Sequence, residues 1–235
     1  MEKPVNESLP AGRVLSCGSK AYAKGGQIGM KLYVDAGRAP NPRRVRIFLA
    51  EKGVSLPSEA IDLGAQAHKA PAFRAINPMQ RLPALVLDDG TVIAESMAIC
   101  RYVEALHPAP PLLGEGAREQ ALVEMWQRRV EFHLLTVVSH AFRHLHPAMA
   151  ALEVPQVAAW GEANKPRALE FLQFLDGELK ERPYVAGARF SVADITAVVA
   201  VDFMKPAKIA VPDGLAHLGR WHREVSARPA VAAQR

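Results

Sequence analysis

The chain has 235 residues, 49% hydrophobic and 23% charged, with a formal charge of +5. That length allows one large domain or two modest ones, each with a core, and the composition is that of an ordinary globular protein. No run approaches the roughly 18 apolar residues of a membrane span. The first twenty residues also lack the apolar region of a secretory signal, so a cytoplasmic protein with no membrane partner is expected. Cys17 and Cys100 are too few for a disulfide framework and have no metal-ligand spacing, so no metal is expected. Basic and acidic residues are interspersed, which reads as a solvated surface and not as a nucleic-acid site. An acidic small-molecule ligand is equally compatible with the charge.

In chain order, residues 1–29 are rich in Gly, Ser, Lys and Pro without a sustained period, an extension expected to be disordered. Met30 stands directly before a first strand at 31–34. Val45, Ile47, Phe48 and Leu49 then mark a helix that stops near Gly53; Asn41 can cap it and Pro42 suits its first turn. An extended segment at 57–62 and a brief helix at 68–75 follow. The next segments form a hairpin, strands at 84–87 and 91–93 around the turn Asp88-Asp89-Gly90. Ser96 opens a helix reaching His107, with Ile99, Val103 and Leu106 on one side. The order is β-α-β-α-β-β-α. Residues 107–117, HPAPPLLGEGA, are a Pro/Gly-rich connector and the natural boundary. Beyond it the pattern is helical: 118–146, with Leu122, Trp126, Val130, Leu134, Val137 and Phe142; 155–181, with Leu169, Leu172 and Leu175; a third helix from Ser191; and a fourth at 215–227. Ser191 and Asp194 have the S-x-x-D spacing of a capping box.

Three stretches carry a resemblance. NPMQRLPALVLDDGTVIAES, from Asn77 to Ser96, is similar to the signature of the cytosolic glutathione S-transferases. GARFSVADI, from Gly187 to Ile195, resembles a C-terminal element of that family, and IFLAEKG lies in the first helix. The likeness spans residues 30–230, and its details look most like a microbial subgroup lacking the usual Tyr, Ser or Cys after the first strand. It implies an α/β thioredoxin-like N-terminal domain over 30–110 and an all-α C-terminal domain over 118–235. It also implies glutathione as co-substrate, a small electrophile as second substrate and a homodimer. The implied reaction is attack of the bound glutathione thiolate on the electrophile. A non-catalytic glutathione-binding protein, or a glutathione-dependent isomerase or dehalogenase, are the alternatives.

The resemblance also distributes roles. A cis bond before Pro83 would turn the backbone of Leu82 outward to pair with the cysteinyl part of glutathione. Glu95 would meet the γ-glutamyl ammonium, while Ser96 and the helix start would hold its carboxylate. His68 and Arg81, with Lys69 as a substitute, would meet the glycyl carboxylate. The loop from Asp35 to Pro42 has no Tyr, Ser or Cys, and Ala39 falls about where the hydroxyl would be. Three replacements could stabilise the thiolate: an amide N–H from Asn41, the charge of Arg38, or a Ser139–His133 pair acting through a water. Six residues on a helix are about 240° of wheel, so that pair shares a face only if the helix bends. His140 and His144 do share one. Neither cysteine suits the redox branch of the family.

Overall fold

The computed structural model describes residues 29–37 and 39–234; the expectations for the N-terminal extension, Cys17 and Arg38 lie outside the described residues. Strand β1 (Lys31–Asp35) pairs in parallel with β2 (Ser58–Ile61) and antiparallel with β3 (Ala84–Val86). The hairpin partner β4 (Val92–Ala94) completes a mixed sheet of order β2-β1-β3-β4. Alternation sorts the two faces. Leu32, Val34 and Leu85 join the main core with α1 (Pro40–Glu51) and α3 (Ser96–Leu106). Tyr33, Ile61 and Ala84 pack instead with Phe73 of α2 (Pro71–Ile76). The hairpin closes by hydrogen bonds from Leu87 N–H to Thr91 and from Gly90 N–H to Leu87. Gly90 has φ +83°, where a side chain is disfavoured.

The second half is helical: α4 (Gly116–Val130), α5 (Thr136–Leu145), α6 (Ala158–Leu179), α7 (Val192–Met204), α8 (Ala216–Ser226) and α9 (Pro229–Ala232). The single helix expected over 118–146 is interrupted by a π-helical turn, Glu131–Leu135, between α4 and α5. The helix expected from Pro155 begins only at Ala158, because the preceding segment serves the end of α5. Gln156 Nε2 donates to the carbonyls of Arg143 and His146 at 2.8 and 3.0 Å, and Val157 N–H donates to His144 Nδ1 at 3.0 Å. The Arg143 carbonyl lacks a helical partner, and that of His146 also accepts from Met149 N–H at 2.9 Å.

Helix α7 is buried all round from Val192 to Val201, the mark of a central helix. Its capping box forms: the Asp194 carboxylate accepts from Ser191 N–H at 3.0 Å, from Val185 N–H at 2.8 Å and from Trp221 Nε1 at 2.9 Å. Burial outweighs these donors and pushes the carboxyl up to about 6. The sheet half is tied to the helical half through α1. Arg43 Nη2 donates to Asp202 Oδ2 at 2.7 Å, and Glu51 takes Arg228 bidentately at 2.8 and 2.7 Å. Cys100 is fully buried in α3. Among the described residues no helix is long and apolar enough to cross a membrane.

Candidate functional site: a groove along the sheet half

The expected γ-glutamyl end lies where β4 turns into α3. Glu95 is exposed with φ +70°, and Ser96, the first residue of α3, is only 3% exposed. First-turn N–H groups have no intrahelical partner and carry the positive end of the helix dipole. The Ser96 hydroxyl is not isolated. Arg44 of α1, 2% exposed, donates from Nη2 to Ser96 Oγ at 2.5 Å and to Asn41 Oδ1 at 3.0 Å. The same guanidinium meets Glu131 Oε1, in the π-helical turn, at 3.0 Å from both Nη1 and Nη2. Nη1 also donates to Thr196 Oγ1 at 3.3 Å. In the orientation that satisfies its amide, Gln127 donates to Thr196 Oγ1 at 2.7 Å and to the Val192 carbonyl at 3.2 Å, and accepts from Arg44 Nη1 at 3.1 Å. A cation of the sheet half is thus enclosed by groups of the helical half, beside Ser96.

In the middle of the groove the Leu82–Pro83 bond is cis. Neither the N–H nor the carbonyl of Leu82 has a hydrogen-bond partner among the described residues. Asn77, buried, shapes this loop: its Nδ2 donates to the Arg81 carbonyl at 2.8 Å and its Oδ1 accepts from Met79 N–H at 3.1 Å.

At the expected glycyl end, His68 sits in a 3-10 turn, Ala67–Lys69, and is 3% exposed. Its Nδ1 is buried without a partner among the described residues. Burial, with smaller effects of Lys69 and Arg81, holds the imidazole below the ordinary histidine range, so it is neutral near pH 7. Arg81 is exposed and close enough to lower both the His68 imidazole and the Glu153 carboxyl. Lys69 Nζ donates to the Ala151 carbonyl at 3.4 Å. The segment after α5 therefore crosses this end.

The start of α1 differs from expectation. Asn41 does not cap the helix, which begins at Pro40 with Ala39 at its N-cap. Asp35, at the end of β1, supplies the cap: its Oδ2 accepts from Ala39 N–H at 3.0 Å. Arg46 holds that carboxylate, donating to Oδ1 at 3.3 Å and to the Asp35 carbonyl at 3.1 Å. A carboxylate reaching across the loop replaces a local cap, so Asn41 is left exposed, with its amide oxygen taken by Arg44.

On the helical side, Ser139 is half-buried on α5 in a stripe with Thr136, His140 and Arg143, at the spacing of one helix face. His133 lies in the π-helical turn and stacks on Phe171 with ring centroids 5.9 Å apart. No hydrogen bond joins it to Ser139 among the described residues. His140 packs against Trp160 at 5.7 Å, and burial, then His144, lowers its imidazole. Arg143 donates to Glu153 Oε2 at 2.6 Å. The helix from Glu131 to Arg143 thus runs from the Ser96 end toward the Arg81 end. A separate cavity of about 950 Å³ between α7 and α8, lined by Lys205, Ile209, Leu215 and His222 among others, includes none of the expected site residues.

Asp35, Arg44 and Glu131 were missed by the reading of the sequence. The one available signal was Arg44 itself, four residues before Phe48 and so on an apolar helix face, where a charge needs a partner.

The family model described as glutathione S-transferase, N-terminal domain, matches residues 39–106, and that of the C-terminal domain matches residues 126–229. The chain belongs to the glutathione S-transferase family. Glutathione S-transferase 2 of Saccharomyces cerevisiae is 38% identical over 89% of this chain and 92% of its own length. The crystal structure of Gtt2 from the same organism is similar at TM-score 0.83 and 38% identity, covering 87% of this chain and 100% of that one. A glutathione S-transferase domain-containing protein of Marinobacter aquaeolei VT8 gives TM-score 0.82 at 38% identity over 86% of this chain and 99% of that one. The family uses glutathione as co-substrate.

Proposed function

We propose that this protein is a glutathione transferase whose groove holds the tripeptide extended along β3 and the start of α3. The observation that carries the reading is the buried Ser96 at the first turn of α3, beside the exposed carboxylate of Glu95. One ammonium and one carboxylate on a γ-glutamyl group need an acid and a set of donors side by side. The unpaired backbone of Leu82 accepts and donates to the cysteinyl unit. His68, Arg81 and Lys69 receive the glycyl carboxylate, and the unpartnered Nδ1 of His68 leaves a hydrogen-bonding group to offer.

The thiol loses its proton to solvent or to a water held by Ser139 and His133. The thiolate then attacks the electrophile: a carbon–sulfur bond forms, and a leaving group departs with its electron pair or an activated double bond takes the proton. Asn41, with its Nδ2 unpartnered among the described residues, donates to the sulfur. The protein's contribution is thiolate stabilisation and positioning. The second substrate is an apolar electrophile seated between the sheet half and α5.

Binding without turnover and the isomerase or dehalogenase reading are not favoured, because the relatives matched over most of their length are glutathione S-transferases. We further propose a cytoplasmic homodimer. Its support is the exposed apolar stripe Leu122, Met125 and Phe132 on α4 and the π-helical turn.

Retention on immobilised glutathione and turnover of a chlorodinitrobenzene-type electrophile test the reading together. Both are expected in the wild type, and Ser96→Ala is expected to lose retention. A wild type that binds glutathione but turns over no electrophile leaves the carrier reading; Ser96→Ala with full retention removes the assigned groove.

A further inference from the structure

We infer that Arg44, held by Glu131, is a positioning residue that turns Ser96 and Asn41 into hydrogen-bond donors for the bound tripeptide. The inference rests on the glutathione reading above and states how the two halves of the chain build that site. A guanidinium donates and never accepts. The Ser96 oxygen that accepts from Arg44 Nη2 at 2.5 Å keeps its own O–H to give away. The Asn41 oxygen that accepts from the same nitrogen at 3.0 Å turns its NH₂ end away from the cation. Ser96 and Asn41 are both ambivalent groups, and a hydroxyl rotor or a side-chain amide can face a ligand with either polarity. A ligand offering a carboxylate and a thiolate needs donors at both places. One cation fixes the polarity of both.

A buried guanidinium needs a counter-charge. Glu131 supplies it at 3.0 Å, and its side chain is 18% exposed, against 3% for that of Arg44. Glu131 belongs to the helical half, and the π-helical turn that it opens sets what else its helix presents. In a regular α-helix Glu131 and Ser139, eight residues apart, would lie about 80° apart on the wheel. The extra residue taken up by a π-helical turn reduces the offset to about 20°. A single helix thereby offers Glu131 to Arg44 and Ser139 to the same groove. The arrangement leaves the Arg44 Nε–H buried without a partner among the described residues. A cluster serving stability alone would be expected to satisfy that donor.

The test compares wild type, Glu131→Gln and Glu131→Ala, each checked for an unchanged far-UV spectrum and a cooperative melt. Calorimetric titration measures affinity for glutathione and for the analogue whose glutamyl α-carboxylate is an amide. Steady-state rates give KM for each substrate. In Glu131→Ala, Kd and KM for glutathione are expected to rise about tenfold or more, the worth of a charge-assisted hydrogen bond. KM for the electrophile stays within about twofold, the penalty shrinks for the amide analogue, and Glu131→Gln, which keeps an acceptor for Arg44, lies between. Equal glutathione affinity in wild type and Glu131→Ala overturns the inference. So does an equal penalty on glutathione and on the analogue, which would reduce the pair to a fold support. If the wild type itself does not bind glutathione, the functional reading falls and takes this inference with it.

Discussion

At the residue scale, His68 shows how burial and ligand charge are linked. Its imidazole lies below the ordinary value because burial, with Lys69 and Arg81, disfavours the cation. For a base with a lowered folded value, the unfolded chain binds more protons just below pH 6.5, the ordinary histidine value. Its stabilising contribution is therefore complete above that pH and is lost as pH falls through the folded value. An arriving glycyl carboxylate reverses part of this, so glutathione binding near pH 6 should take up protons. Titration in two buffers of different ionisation enthalpy measures the uptake, and His68→Gln is expected to abolish it.

Asn41 gives a second expectation at the same scale. If its amide donates to the sulfur, Asn41→Ala lowers kcat by about tenfold or more and moves the acid limb of the pH–rate profile to higher pH, because the thiolate loses a donor. An unchanged limb would assign thiolate stabilisation elsewhere, to Ser139 first. The two residues were not equally legible. Asn41 was visible as a polar group at a helix start, but the reach of Asp35 to Ala39 N–H was not, since sequence spacing does not show which carboxylate crosses a loop. Arg44 and Glu131 are 87 residues apart, and no local pattern joins them.

Among elements, α7 depends most on one side chain. Asp194 caps its first turn and also receives Val185 N–H and Trp221 Nε1, both buried. Removing the carboxylate deletes a cap worth about 1 kcal/mol and strands further buried donors at about 1–3 kcal/mol each. Asp194→Ala should therefore cost about 3 kcal/mol or more, read as a lower midpoint in urea with an unchanged slope. This capping box was readable because both its members are local. The π-helical turn was not, because the periodicity of 118–146 fits an unbroken helix and only tertiary packing inserts the extra residue. Deleting Phe132, an exposed member of that turn, should restore a regular helix in which Glu131 and Ser139, now seven residues apart, keep their offset of about 20°. A folded variant that keeps both glutathione affinity and kcat would match that preserved register, and a loss of kcat would show that the turn does more than take up the extra residue.

On the scale of the whole molecule, the alternation of strands and helices and the Pro/Gly-rich connector were enough to give the order of elements. The coupling of the halves was not, because it is made by Arg43, Arg44 and Arg228, charged residues that a composition-based reading assigns to solvent. Each is paired across the molecule: with Asp202, Glu131 and Glu51 respectively. The proposed dimer belongs to this scale too. Phe132 is 55% exposed on the α4 side, and exposed apolar stripes mark association surfaces. The double variant Met125→Glu, Phe132→Glu should elute as a monomer in size-exclusion chromatography with light scattering where the wild type elutes at twice the mass. A wild type of single-chain mass would discard the dimer.

A protein that handles thiol-reactive compounds exposes its own sulfur chemistry to them. Cys100, the one cysteine among the described residues, has no solvent contact, and burial pushes its thiol up to about 12. At physiological pH it is almost wholly protonated, and electrophiles react with the thiolate. Cys100 so placed is spared in turnover: in the native state it should survive prolonged iodoacetamide treatment, as peptide mapping would show, and become labelled only once the chain is unfolded.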